Sequence, residues 1–137
     1  MKAVPDSMLW VSYATHRDGL RHAALNRAVD QRVRLVTSRY IIEEVERILT
    51  DKFEKPRRFV QLALQKILRL ATEVDLPRVV RPYVAGDPND NFVIQTALSG
   101  KADLIVTADK VLLTLRKVQD VEIISLDEFA SRLRPEE

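Results

Sequence analysis

Gly86-Asp87-Pro88-Asn89-Asp90-Asn91-Phe92, with the run that follows it to Asp109, decides how this chain folds. Asp87-Pro88 and the Asn/Asp cluster carry turn and helix N-cap chemistry. Val93, Ile94, Ala97 and Leu98 recur as one stripe of a short helix, which Gly100 closes. Asp103-Leu104-Ile105-Val106-Thr107 is a short apolar run of the kind buried on both faces of a parallel sheet. The chain leaves that strand on Ala108-Asp109. Asp90 and Asp109 thus stand at a helix start and just past a strand end, where an open α/β sheet places its chemistry.

Upstream, Lys2-Ala3-Val4-Pro5-Asp6 reads as a strand running straight into an acid. Pro5 cannot donate to a ladder, so it belongs at the strand's last residue or at its edge. Ser7 to Val11 continues apolar into a first helix, and Leu20, Ala23, Ala24 and Ala28 mark another after the break at Gly19. Arg32 to Thr37 is a second strand. Ser38 is an N-cap for the next helix, whose buried stripe is Ile41, Ile42, Val45, Ile48 and Leu49. At 100° per residue Glu43 points away from that stripe, whereas Glu44 and Glu46 flank it on opposite sides and Glu44 can face a cleft beside the sheet.

After a charged connector over residues 51–58, Val60, Ala63, Leu64, Ile67, Leu68 and Ala71 give a clean helical stripe. Phe59, Leu62 and Leu70 widen its apolar face, which marks a protein contact and makes a homodimer the expected assembly. Val74-Asp75-Leu76 reads as a short strand. Downstream of Asp109 come a short helix, a last strand at Val121-Glu122-Ile123-Ile124, and a final helix. That helix opens on the Ser125-x-x-Glu128 spacing of a capping box and turns Phe129 and Leu133 inward. Residues 134–137 are expected to fray. The alternation predicts an α/β fold: one domain over residues 1–137, three-layer α/β/α, with a central parallel sheet of four to five strands.

Composition narrows the chemistry. A chain of 137 residues suffices to bury a core. With no cysteine, disulfides and thiolate metal sites are excluded, so any metal is held by oxygen or by the two histidines. His16 and His22, six residues apart, read as surface or capping residues rather than ligands. Trp10 reads as core beside the active edge, with stacking on a base as its functional alternative. No apolar run approaches membrane-spanning length and no signal segment opens the chain, so a cytoplasmic location without membrane partners is expected. A net charge of +2 permits nucleic-acid binding without arguing for it.

Asp6, Asp90 and Asp109 share a placement: each lies beyond a strand's C-terminal end or at a helix N-terminus. In a parallel sheet those ends form one edge, and Glu44 can reach the same mouth. Four carboxylates there repel one another unless a cation is bound, and oxygen-only ligation suits Mg²⁺ or Mn²⁺. Such an ion supports in-line displacement at a phosphodiester. The same acids can also be helix caps that complement the helix dipole. Spacing alone leaves both readings open.

The pattern resembles the PIN domain family, in particular its small stand-alone prokaryotic members classed as toxins of toxin–antitoxin pairs. Asp6-Ser7-Met8-Leu9-Trp10-Val11-Ser12 resembles the family's opening Asp-[Thr/Ser]-Asn-apolar-apolar-apolar-Ser segment. Ser38 through Glu44 resembles its Ser-x₅-Glu helix. Asp87-Pro88-Asn89-Asp90-Asn91 resembles its Asp-Pro-x-Asp-[Asn/Asp] segment, and the strand ending Thr107-Ala108-Asp109 resembles Thr-[Gly/Ala]-Asp. The resemblance runs over nearly the whole chain. It implies a divalent-metal endoribonuclease acting on RNA, with an antitoxin protein as partner. Asp6, Asp90 and Asp109 would be its principal ligands, and Glu44 a ligand or the group that orients the attacking water. Ser7 and Thr107 would hold those carboxylates in place. The family's Asn is replaced by Met8, and a further acid common after the last Asp is replaced by Val111.

Among the basic residues, Lys110 and Arg81 flank the motif and are the expected phosphate contacts. Two other function classes compete with the nuclease. A phosphoacceptor receiver domain also uses acids and Mg²⁺, but it expects an acidic pair after the first strand, where Asp6 stands alone. A non-catalytic interaction module is favoured by Met8, Val111 and the wide apolar face around Leu62 and Leu70.

Overall fold

The computed structural model describes residues 1–83 and 88–135. The expected turn at Gly86 and Asp87 and the last two residues of the expected tail lie outside these. Arg134, read as the start of the fray, is tied down: its N–H donates to Gln31 Oε1 and its carbonyl accepts from Gln31 Nε2, both at 2.8 Å.

In chain order the described elements begin β1 (Lys2–Pro5), α1 (Ser7–Thr15), α2 (Leu20–Asp30), β2 (Arg34–Ser38) and α3 (Arg39–Arg47). A π-helical turn (Ile48–Lys52) then leads to α4 (Arg57–Leu70), β3 (Ala71–Val74), α5 (Pro88–Ser99) and β4 (Leu104–Val106). The chain ends with α6 (Lys110–Leu115), β5 (Lys117–Val118), β6 (Val121–Ile124) and α7 (Leu126–Ser131).

Among the described residues, six strands form one sheet in the order β3-β2-β1-β4-β6-β5. All its pairings are parallel except β5 with β6. The expected parallel strands are therefore there, with a two-residue antiparallel strand added at the edge. Successive strand residues point to opposite faces, and Ala3 and Val4, Leu35 and Val36, and Leu104 to Val106 are all buried. Both faces of the sheet are thus covered, as its apolar runs require. Pro5 is the last residue of β1, where its missing N–H costs no ladder bond.

From β1 the chain first adds β2 and β3 on one side, then returns to place β4 on the other. The carboxyl ends of β1 and β4 consequently flank the topological switch point, where such sheets open a crevice.

Three local expectations shift. The strand expected at Val74-Asp75-Leu76 lies three residues earlier, because α4 passes into β3 at Ala71 with no loop between them. Leu68, placed in the buried stripe of α4, is 44% exposed, and Val60 and Ile67 carry that face. At the end of α5 the left-handed residue is Lys101 (φ 52°), not Gly100. Lys101 N–H donates to the Leu98 carbonyl and Ala102 N–H to the Ala97 carbonyl, the paired bonds of a Schellman ending. Gly100 serves packing: a Cβ there would meet Val36 Cγ1 at 2.7 Å.

Candidate metal centre

Asp6 leaves β1 and caps α1, its Oδ1 accepting from the Leu9 N–H at 2.8 Å. Its other oxygen accepts from the Thr107 hydroxyl, just past β4. The same Thr107 oxygen accepts from the Asp109 N–H at 2.9 Å. One buried hydroxyl thereby fixes two acids across the switch point. Asp109 in turn caps α6, with Oδ1 accepting from the N–H groups of Val111 and Leu112 at 2.8 and 3.1 Å.

Glu44 and Asp90 come from the other side. Ser38 caps α3, and Glu44, in the next turn, is buried while Glu43 and Glu46 are exposed, as helical periodicity predicted for Glu43. The starts of α3 and α5 are clamped together. Tyr40 stacks on Phe92 with ring centroids 3.9 Å apart, Tyr40 also donates to Asn89 Oδ1, and Thr96 and Ser38 hydroxyls meet at 2.8 Å. Asp90, buried in the first turn of α5, thus faces the same cavity as Glu44.

All four carboxylates line one cavity of about 570 Å³ at the carboxyl edge of the sheet. Ser7, Met8 and Asn89 share its wall, and so do two cations, Arg21 and Lys52. Among the described residues, no three acids or histidines stand close enough together to hold a metal ion. The carboxylates share a chamber without closing on a point.

Their chemistry nevertheless fits a hard divalent cation. The donors are all oxygen, and Ser7 Oγ is buried in the same wall with no hydrogen-bond partner among the described residues. Burial pushes the Asp6 carboxyl above the ordinary carboxylate range and the Asp109 charge adds to this, against the Thr107 and Leu9 hydrogen bonds and Arg21. A cation beside it removes that penalty. Glu44 has a partial counter-charge in Arg47, 3.5 Å away.

Sequence reasoning placed the acids but not the cations. Arg81 and Lys110, its choices for phosphate contact, are exposed and stand outside the cavity's lining. Arg21 and Lys52 line it instead, and only their tertiary placement distinguishes them from any other surface cation. Trp10 is fully buried, in edge contact with Tyr13, so it serves the core and not base stacking. His22 packs flat on Tyr13 and His16 ends α1.

The family model of the PIN domain matches residues 2–111, which include all four carboxylates. This chain belongs to the PIN domain family. PIN domains are nucleases. No curated protein matches the chain in sequence. Two similar solved structures are VapBC2 from Rickettsia felis bound to a DNA fragment from its promoter, and VapBC-1 from nontypeable Haemophilus influenzae. The first is 12% identical with a TM-score of 0.69, over 91% of this chain and 98% of that one. The second is 14% identical with a TM-score of 0.63, over 93% and 99%. At such identities the likeness establishes the PIN fold alone.

A second cavity, of about 290 Å³, lies between α1, α2 and α4. Tyr13, Phe59, Leu62 and Ala63 form its apolar wall, with Arg17, Lys66 and Arg69 around them and no acid in the lining. Among the described residues, no helix is long and apolar enough to cross a membrane.

Proposed function

We propose that this PIN domain is a divalent-metal-dependent endoribonuclease that hydrolyses RNA phosphodiesters, and that it is the toxin of a toxin–antitoxin pair. The support is the convergence of Asp6, Glu44, Asp90 and Asp109, from four separate elements, on one cavity at the switch point. Caps alone do not require this, since a helix can be capped anywhere on the surface.

In this reading Asp6, Asp90 and Asp109 hold Mg²⁺ or Mn²⁺, directly or through water. A cation held there supplies Lewis acidity to the phosphodiester oxygens and acidity to the attacking water. Glu44 accepts a proton from, or orients, that water. Thr107 keeps the Asp6 and Asp109 carboxylates in register, and Ser7 offers its unpartnered hydroxyl to the same wall. Arg81 and Lys110 remain candidates for contacts to RNA beyond the cavity.

The antitoxin partner is proposed from the likeness to VapBC proteins, and a second copy of the chain is proposed to pair through the α4 face around Phe59, Leu62 and Leu70. A non-catalytic module is the rival reading, favoured by Met8, which lines the cavity at 40% exposure where the family has Asn.

Cleavage of a mixed RNA pool in Mn²⁺, with EDTA and Asp90→Asn as parallel controls, separates the two. Cleavage lost in both controls is the expected result. Cleavage that survives Asp90→Asn, or its absence from the parent protein, removes the nuclease reading.

A further inference from the structure

We infer that Arg21 and Lys52 are the phosphate-binding residues of this site, holding the RNA backbone at the mouth of the carboxylate cavity. The inference rests on the nuclease reading and adds to it the means by which an acidic chamber admits a polyanion. One divalent cation offsets only two of the four carboxylate charges, so an approaching phosphodiester is still repelled and its entry needs further cations in the same wall. Among the described residues, that wall holds two, Arg21 and Lys52.

Each is placed by something specific. Arg21 Nη1 donates to the hydroxyl of Ser12 at 2.6 Å, and Ser12 is buried on α1, the helix that Asp6 caps. The guanidinium is thereby fixed to the element that carries the first acid, with further N–H donors left over. It is in none of the ion pairs among the described residues, which join Arg39 to Glu43, Arg47 to Glu44, and Arg132 to Glu122 and Glu128.

Lys52 is likewise outside those ion pairs and ends the π-helical turn, closed by the Phe53 N–H donating to the Ile48 carbonyl at 3.1 Å. Glu44 and Lys52 are eight residues apart, about 80° around an uninterrupted α-helix at 3.6 residues per turn. An i→i+5 turn winds less per residue and so brings Lys52 back toward the side of Glu44. The local departure from α geometry thus has a use: it delivers an ammonium to the cavity that a regular helix would turn away.

The test separates RNA holding from cleavage. Asp109→Asn retains a side chain able to cap α6 and serves as the cleavage-deficient parent. Binding of a fluorescein-labelled single-stranded RNA to it is followed by anisotropy as KCl is raised. Adding Arg21→Ala or Lys52→Ala should weaken binding several-fold and flatten the log–log salt slope by about 0.7, the single-strand value per phosphate contact. Arg21→Lys and Lys52→Arg should restore the slope, which a merely structural role would not do. Arg34→Ala, exposed at the opposite edge of the sheet, should leave it unchanged.

Alanine slopes equal to the parent's, an equal loss in Arg34→Ala, or no RNA binding by the Asp109→Asn protein overturns the inference. Its fate is separable from the nuclease reading. Slopes that fall while the unmutated protein does not cleave would keep the phosphate contacts and remove the nuclease. Unchanged slopes beside robust cleavage would do the reverse.

Discussion

Two cavities of this molecule, one at the sheet edge and one among the helices, are built on opposite plans. At the sheet edge, carboxylates come from just past β1 and β4, the second turn of α3 and the first turn of α5, three of them buried and Asp109 half-buried, and backbone topology puts them there. Between α1, α2 and α4, an apolar wall ringed by Arg17, Lys66 and Arg69 is made of side chains projecting from helix surfaces. In the first, burial raises the pKa of Asp6, a perturbation of the kind that clusters at functional sites. The second leaves Leu62 55% exposed and has no acid in its lining, and it lies on the α4 face proposed to pair two copies. Substitutions in the first should therefore be felt in activity and in the second in assembly.

The largest effect is expected at the acids themselves. Asp6→Ala or Asp90→Asn should lower metal-dependent RNA cleavage by at least about a hundredfold, because losing even an outer-shell partner costs 10–100-fold. Single-turnover rates in Mn²⁺ check this, and activity within a few-fold of the parent would place the acids outside the chemistry.

Thr107→Val comes next. It removes the donor to Asp6 and the acceptor for the Asp109 N–H together, so a loss of about 10–100-fold in Mn²⁺ affinity or cleavage is expected. Thr107→Ser, which keeps the hydroxyl, should recover most of it.

A third effect runs the other way. Between the ordinary carboxylate range and the raised Asp6 value, the folded protein binds a proton that the unfolded chain has released. This group's contribution to stability therefore falls as pH rises through that window and stays lower above it. In EDTA at neutral pH, Asp6→Asn should melt above the parent, and the gap should close as pH is lowered into the ordinary carboxylate range. Circular dichroism melts across pH read this directly. A variant that melts lower throughout would mean that Asp6 is only a cap, worth about 1 kcal/mol.

The smallest effect on the folded chain belongs to the second cavity. Leu62→Glu lies on an exposed face, so stability should change by no more than about 0.5 kcal/mol and RNA cleavage should be unaltered. If α4 pairs two copies, the same change should abolish dimers in sedimentation. A monomeric parent at high concentration would remove that role for the face.

The contrast also explains what could be read from the amino acids. Asp6, Asp90 and Asp109 were legible because punctuation locates them: Pro5 ends a strand, Pro88 starts a helix, and Thr107-Ala108 follows an apolar run. Periodicity set Glu43 aside but left Glu44 and Glu46 both flanking the stripe, and the resemblance to the Ser-x₅-Glu helix selected Glu44; Ser38 and Ser125 were legible from cap chemistry. The strand after α4 was legible but its start was not, since Ala71 continues the stripe of α4 and nothing in its composition announces that the helix has ended. Lys101 takes the left-handed conformation that glycine usually supplies, so the glycine beside it misdirected the reading by one residue. Arg21 and Lys52 were beyond reach for a deeper reason. Their relevance depends on a hydrogen bond across two helices and on a π turn, and neither leaves a periodic trace.

That Asp6, Glu44, Asp90 and Asp109 form one metal centre can be tested by calorimetric titration of Mn²⁺ into metal-free protein. Binding to the parent protein that is lost in both Asp6→Asn and Asp90→Asn, while their folds persist by circular dichroism, is the expected result. Equal Mn²⁺ binding by the parent and both variants, or none by the parent, would contradict it.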